Sequence, residues 1–347
     1  MTIHPSLGRT LPTIFRFRSP TPLLQHLDIS GFPRGHIPRL PHDFLGRHVP
    51  SLRSLIWDDS SLLPAPFPPP NLTHLSSAAD EAPTHLHVVL GLISSAPLLE
   101  RLSISIIEED ISLHPFPLHD IRLDSLRYLR LVSGASLSRV LPRFRVPQLK
   151  EFSLLLPSIP FDLQDPTIAA LLPSDSYPLL TKVTSMDFYA GPGDSQVKLS
   201  GEGIKVTMGT FLARMDNFFV MQSFPFTQIT RLIVRMIAKP VVVKIREFTN
   251  LEQLGLVRCQ EDAEVFLALS PPPGPVSLVP CPRLVAMRVA FYRSDPPTVD
   301  SFKQMVRSRK GAGNPLVNIN LMSFHGMGEM LDIDEFNEWV TQSPFRE

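Results

Sequence analysis

A chain of 347 residues with 33 basic and 33 acidic side chains has no formal net charge, so no global field draws it to nucleic acid or to an anionic membrane. Its two cysteines, Cys259 and Cys281, exclude a disulfide framework or a cysteine-rich zinc site and favour a reducing compartment. Charged residues make up 19% of the chain, below the roughly 25% usual in soluble domains, while its 37 prolines are about twice the normal share and run along its whole length.

The first 27 residues hold Arg9, Arg16 and Arg18 and no acid, and residues 1–20 are read as a tail. From residue 22 an octamer recurs, most often opening on proline. It appears as "PLLQHLDI" at 22, "PSLRSLIW" at 50, "PNLTHLSS" at 70, "PLLERLSI" at 97 and "DSLRYLRL" at 124. It continues as "PQLKEFSL" at 147, "PLLTKVTS" at 178, "TQITRLIV" at 227, "TNLEQLGL" at 249 and "PRLVAMRV" at 282. The first six are spaced 28, 20, 27, 27 and 23 residues apart and share the pattern L-x-x-L-x-L. That period is the one expected of leucine-rich repeats. The last two apolar positions lie two apart and so face one side of a short strand. One unit buries too little alone, but stacked units pair their strands into a parallel sheet over a continuous core. A proline ahead of the first leucine ends the preceding element and costs no ladder bond.

The stretch "LPHDFLGRHVPSLRSLIW" at 40–57 has a rival reading. It could open an F-box, the helical module that docks substrate receptors onto cullin-type ubiquitin ligases. About forty residues of packed helix from Leu40 would have to contain Pro50, Pro64, Pro66, Pro68, Pro69 and Pro70. Leu52, Leu55 and Trp57 meanwhile fall on the repeat phase. The stretch is read as a repeat.

Between strands the chain must return. "PTHLHVVLGLISS" carries Leu86, Val89, Leu90 and Ile93 at helical spacing. "QDPTIAALL" offers Asp165 as N-cap with Pro166 at the first helical position. "EDAEVFLAL" and "TVDSFKQMVRSRKG" are helical by the same criteria, the latter ending in Arg307, Arg309 and Lys310 at the negative end of its dipole. "LLPAPFPPPN" is too rich in proline for a helix and is expected to be extended or irregular. The 49 residues between the repeats at 178 and 227 signal an insert at about 186–226. Within it "VKLSGEGIKVTM" alternates about Gly201-Glu202-Gly203, a hairpin over 197–208. With "AGPGDS" before it, the insert reads equally as a binding feature or as an elongated repeat turn. No apolar run approaches the ~20 residues of a membrane span.

The segments "TPLLQHLDISG", "LPHDFLGRHVPSLRSLIW", "NLTHLSS", "SSAPLLERLSI", "SLRYLRL" and "CPRLVAMRVAFYRSDPPTVDSFKQMVRSRKGAGNPLVNINL" resemble the repeat region of the F-box/leucine-rich-repeat proteins of mushroom-forming fungi. The likeness spans roughly residues 20–325. It implies the substrate-recognition part of a cullin-type ubiquitin ligase, in the cytoplasm or nucleus. Members carry an F-box upstream of the repeats, and the residues before 22 are too few for one.

The expected fold is α/β, a single leucine-rich-repeat solenoid over residues 21–325 with a parallel concave sheet and mixed helical and irregular convex returns. Residues 326–347 form a cap or tail. Outward strand positions then present His26, Asp28, Ser54, Ile56, Arg101, Ser103, Tyr128, Arg130, Glu151, Ser153, Arg231, Ile233 and Arg288 on the concave face. Arg and aromatic anchors on such a face suit binding of another protein by a monomer. No cofactor, metal, nucleic acid or membrane is expected. "DEAPTHLHVV" sets His85 and His87 on different faces of a predicted helix, which disfavours shared ligation. "GPGDS" and "GEG" lack phosphate-cradling spacings, and no G-x-S-x-G elbow occurs. Cys259 follows an apolar strand run and is read as packed, not nucleophilic, and Glu108–Asp110 as a solvated turn. Binding without catalysis is therefore the expected function. The alternatives are a stand-alone repeat inhibitor or scaffold, and a parallel β-helix enzyme, which would need few helices and clustered acids.

Overall fold

The structure, a computed structural model, describes residues 23–29, 50–57, 71–77, 93–94, 96–106, 120–133, 141–156, 175–191, 194–211, 226–236, 239–272, 279–291 and 296–321. The expected helix at "QDPTIAALL", residues 62–70 of the return "LLPAPFPPPN", the acids at 108–110 and residues 326–347 lie outside them. So does all but Ile93 and Ser94 of "PTHLHVVLGLISS". The protein is α/β, with mostly parallel strands and few helices, and divides into two compact units, residues 1–180 and 181–347.

The first unit holds β1 (His26–Ile29), β2 (Ser54–Trp57), β3 (His74–Ser77), β4 (Arg101–Ile106), β5 (Ile121–Arg122), β6 (Tyr128–Ser133), β7 (Phe144–Arg145) and β8 (Glu151–Leu156). Strands β1, β2, β3, β4, β6 and β8 pair in parallel in that order, while β5 and β7 form a separate short ladder. Residues 54–57 of the stretch with the rival F-box reading are a strand between β1 and β3, while residues 40–49 lie outside the described residues. Register stacks Leu27, Leu55, Leu75, Leu102, Leu129 and Phe152 into one row, each at most 4% exposed. Each such side chain contributes about 1.5–3 kcal/mol by leaving water.

Successive turns are also joined by a repeated backbone device. Two consecutive amides of one turn donate to a single carbonyl of the turn before. Arg53 and Ser54 donate to the Gln25 carbonyl, Thr73 and His74 to Arg53, Glu100 and Arg101 to Thr73, and Arg127 and Tyr128 to Glu100. The second unit uses the same arrangement, with Glu252 and Gln253 donating to the Thr230 carbonyl and Val285 and Ala286 to Glu252. Side chains reinforce it at matching places. Asn71 Nδ2 donates to the Pro50 carbonyl at 3.0 Å, and Asn250 Nδ2 to that of Thr227 at 2.6 Å. Both asparagines directly precede the first leucine of their repeat.

The second unit contains β9 (Val183–Ala190), β10 (Asp194–Gly201), β11 (Ile204–Phe211), β12 (Arg231–Arg235), α1 (Lys239–Lys244), β13 (Gln253–Val257), α2 (Asp262–Leu269), β14 (Ala286–Ala290), α3 (Pro296–Gly311) and β15 (Asn318–Leu321). Its strand order is β11-β10-β9-β12-β13-β14-β15. The expected hairpin is present with Val197 opposite Met208 and Leu199 opposite Val206. Residues 194–211 are therefore not an elongated repeat turn. The hairpin widens the sheet, with β10 antiparallel to β9 and β12 parallel to β9 on its other side.

The repeat at 178 needs correction by three residues. Met186 and Phe188 pair with Leu232 and Val234, so Val183-x-x-Met186-x-Phe188 is the true unit. A 3₁₀ turn at Pro178–Lys182 takes up the "PLLTK" that mimics the pattern. An eleventh unit, Leu316-x-x-Ile319-x-Leu321, closes the sheet as β15.

Helices α2 and α3 occur as expected, α3 starting two residues sooner at Pro296, while α1 at "KPVVVK" was not foreseen. Phe266, Phe291 and Phe302 meet edge-on beneath them at 5.1–6.0 Å. Arg307 and Lys310 are exposed near the C-terminus of α3, but Arg309 departs from the dipole reading. It is fully buried and turns inward. Its Nη1 donates to the carbonyls of Pro280 (2.7 Å) and Leu269 (3.4 Å), and its Nη2 to those of Cys281 (3.0 Å) and Leu284 (3.4 Å). One guanidinium thus gathers the turn before β14, where Cys281 sits at φ 45°.

Candidate site on the exposed sheet face

Because side chains alternate along a strand, every buried row has an exposed counterpart on the other face. In the first unit one exposed row runs His26, Ser54, His74, Arg101, Tyr128, Glu151. A second runs Asp28, Ile56, Ser76, Ser103, Arg130, Ser153. All the outward positions expected from the sequence in this unit fall on these two rows. The Arg101 guanidinium lies 5.9 Å from the Tyr128 ring centre, a cation–π distance. Ile56 is 36% exposed, an apolar spot among polar neighbours.

His74 and Ser76 complete the rows at β3. Neither was singled out from sequence, although "NLTHLSS" carried the same phase as its neighbours. His74 Nδ1 lies 2.8 Å from Thr73 Oγ1. Partial burial, then the Arg101 charge, hold the His74 imidazole below its ordinary value and favour its neutral form.

In the second unit the rows on this face are Ser185, Arg231, Gln253, Ala286, Asn318 and Asp187, Ile233, Gly255, Arg288, Asn320. Arg231, Ile233 and Arg288 were expected there. Arg235 adds a third guanidinium, and it forks onto Asp187 with Nε to Oδ1 and Nη2 to Oδ2 both at 3.0 Å. That pairing holds the Arg235 guanidinium above its usual value. Asp187 was hidden from sequence by the three-residue slip, which hid Ser185 as well.

Gly255, the buried member of the second row, forms a floor between Ile233 and Arg288. A Cβ there would stand 3.4 Å from the Ile233 side chain, so the bare backbone leaves a dip that any other residue would fill. The resulting groove encloses about 430 Å³, with Arg231, Arg235, Arg288, Gln253, Asn318 and Asn320 around it. This volume is within the range of sites that hold small ligands or short peptide segments.

The cysteines are packed. Cys259 donates its thiol to the Val234 carbonyl at 3.3 Å and Cys281 to that of Ile245 at 3.2 Å. Burial pushes the Cys259 thiol well up, with Asp262 adding to it, and pushes Cys281 up to about 12 despite Arg309 nearby. Tyr177 is likewise buried, donating to the Leu141 carbonyl at 2.8 Å, and burial raises its phenol. All three folded values exceed the unfolded ones. Their stabilisation is whole below the ordinary thiol value of about 8.5 and drains as pH climbs past it, with Tyr177 joining near 10. Urea midpoints measured from pH 7 to 10.5 should therefore fall from about pH 8.5. Replacing both thiols, Cys259→Ala with Cys281→Ala, should flatten the earlier part of that fall, and a double variant with an unchanged profile would contradict this account.

Among the described residues no group of three His, Cys, Asp or Glu is placed to hold a metal ion, and no helix is long and apolar enough to cross a membrane. His85 and His87, whose shared ligation the sequence disfavours, lie outside the described residues. Neither models of known protein families nor curated proteins give a match to this sequence.

Proposed function

We propose that this chain is a leucine-rich-repeat protein that binds another protein across the exposed face of its sheet and performs no chemistry there. The observation that carries the reading is the division of labour between faces. One face repeats Leu, Met and Phe at fixed register, while the other changes residue by residue yet keeps Arg, Tyr and amide groups in straight rows. Rows of neighbouring strands about 4.8 Å apart offer a partner many side chains on a rigid support, at little ordering cost to the scaffold. The finer role is substrate recognition for a cullin-type ubiquitin ligase, which rests on the resemblance of the repeats. A parallel β-helix enzyme is disfavoured by α2 and α3, which make helical returns of 8 and 16 residues.

The test is crosslinking of partners in cells to the wild-type chain and to two variants. One carries Arg101→Glu and Tyr128→Ala, and the other carries Val243→Ser and Leu267→Ser on helices away from the rows. A protein captured by wild type and the second variant but lost with the first supports face-directed binding. Identical captures by all three overturn it. Mixing the purified chain with the adaptor subunit that grips F-boxes tests the ligase role separately, and co-elution as a complex is the outcome that role requires.

A further inference from the structure

The groove over Gly255 has a composition of its own. Three guanidiniums surround it, and among the described residues no carboxylate lines it. Asp187, which shares the second row, pairs with Arg235 at two points. Arg231 and Arg288 are both exposed, and with Arg235 they make the described lining cationic in a chain whose total charge is zero. Gln253, Asn318 and Asn320 add side-chain amides, each able to donate and accept.

We infer that this groove receives an extended acidic segment of a partner protein, with Arg231 and Arg288 gripping Asp or Glu side chains and the amides pairing with its backbone. This rests on the reading of the sheet face as a protein-binding surface and names the chemistry of one partner. Guanidinium forks match carboxylates at two points, which gives orientation as well as attraction. An extended peptide suits the amides, because its own peptide groups need partners once water is displaced. Single-stranded nucleic acid fits less well. It would look for aromatic platforms, and among the described residues the lining has no aromatic side chain. The absence of a side chain at Gly255 is what lets a backbone approach so closely.

The experiment is fluorescence anisotropy of a dye-labelled decapeptide alternating Glu and Gly, titrated with the full chain. The same titration is run with the Gln–Gly analogue and with a ten-nucleotide DNA strand. The expected result is binding of the acidic peptide that weakens at high salt, with the Gln analogue at least about tenfold weaker. Arg231→Gln with Arg288→Gln should cost about tenfold or more, while Arg101→Gln with Arg130→Gln, the same loss of two charges in the first unit, should cost less than about twofold. Gly255→Ser leaves every charge in place and narrows the floor, and should weaken binding severalfold without unfolding, since its Cβ would stand at ordinary contact distance. Equal affinity for the Gln peptide overturns the proposal, as does a double variant that binds normally. Tighter binding of DNA overturns it too. So does peptide binding that appears only after Asp332, Asp334 and Glu335 are changed to Asn, Asn and Gln, which would make the chain's own acidic stretch the occupant. Loss of face-directed capture in cells with intact peptide binding would instead sink the broader reading and leave the groove standing.

Discussion

Replacing Arg309 by Met should destabilise the second unit by about 3–5 kcal/mol, in the range found when a buried charge network loses a partner. The cause is the company this side chain keeps. Its two terminal nitrogens serve carbonyls of Leu269, Pro280, Cys281 and Leu284, drawn from the end of α2 and the turn into β14. Methionine fills most of the space but leaves those buried oxygens facing carbon, and each orphaned group costs about 1–3 kcal/mol. Arg309→Lys keeps the charge but cannot fork across both sides, so it should recover only part of the loss. Burial already holds the Arg309 guanidinium below its ordinary value. Urea denaturation of both variants measures the effect. A loss under about 1 kcal/mol for Met would mean that water satisfies the carbonyls and that Arg309 is dispensable.

The second large effect is expected at Gly201. A Cβ there would run into the carbonyl oxygen of Lys182, where β10 shifts register against β9 between Ser200 and Gly201. Backbone does not yield as a flexible side chain does. Gly201→Val should therefore cost about 2–4 kcal/mol, comparable to a severe core defect, and should loosen the β9–β10 edge first. Gly203 provides the contrast two residues on. It has φ +66° but nothing near its missing side chain, so Gly203→Ala should cost only about 1 kcal/mol of backbone strain, and Asn less. Hydrogen exchange on β10 amides together with thermal melts separates the cases. Equal losses at the two positions would refute the close approach at Gly201.

These two residues also mark where sequence stopped being informative. The strands were legible because L-x-x-L-x-L is a local code, readable within six residues, and because the same burial is demanded in each turn. His26, Tyr128 and Arg231 followed from it by parity alone. At 178 the code misled, since Pro178, Leu179 and Leu180 imitate a repeat opening while the 3₁₀ turn displaces the strand. The role of Arg309 was invisible because its acceptors lie 25 to 40 residues away in sequence. The groove could not be read either. It depends on register bringing Arg231 and Arg288 to either side of β13, and on what Gly255 lacks.

The doubled hydrogen bonds between turns carry a consequence for how such a chain can change length over generations. Each acceptor carbonyl passes the pattern to the next turn regardless of what lies between, and the hand-over spans 20 residues from Arg53 to Thr73 and 33 from Glu252 to Val285. Insertions in a return segment thus leave every strand in phase, and doubling its length costs only about 0.6 kcal/mol of closure entropy. A single residue added between Leu251 and Leu254 would instead turn the face of β13 over, sending Leu254 outward and Gln253 into the core. Gene lengthening is cheap in one part of the turn and ruinous in the other.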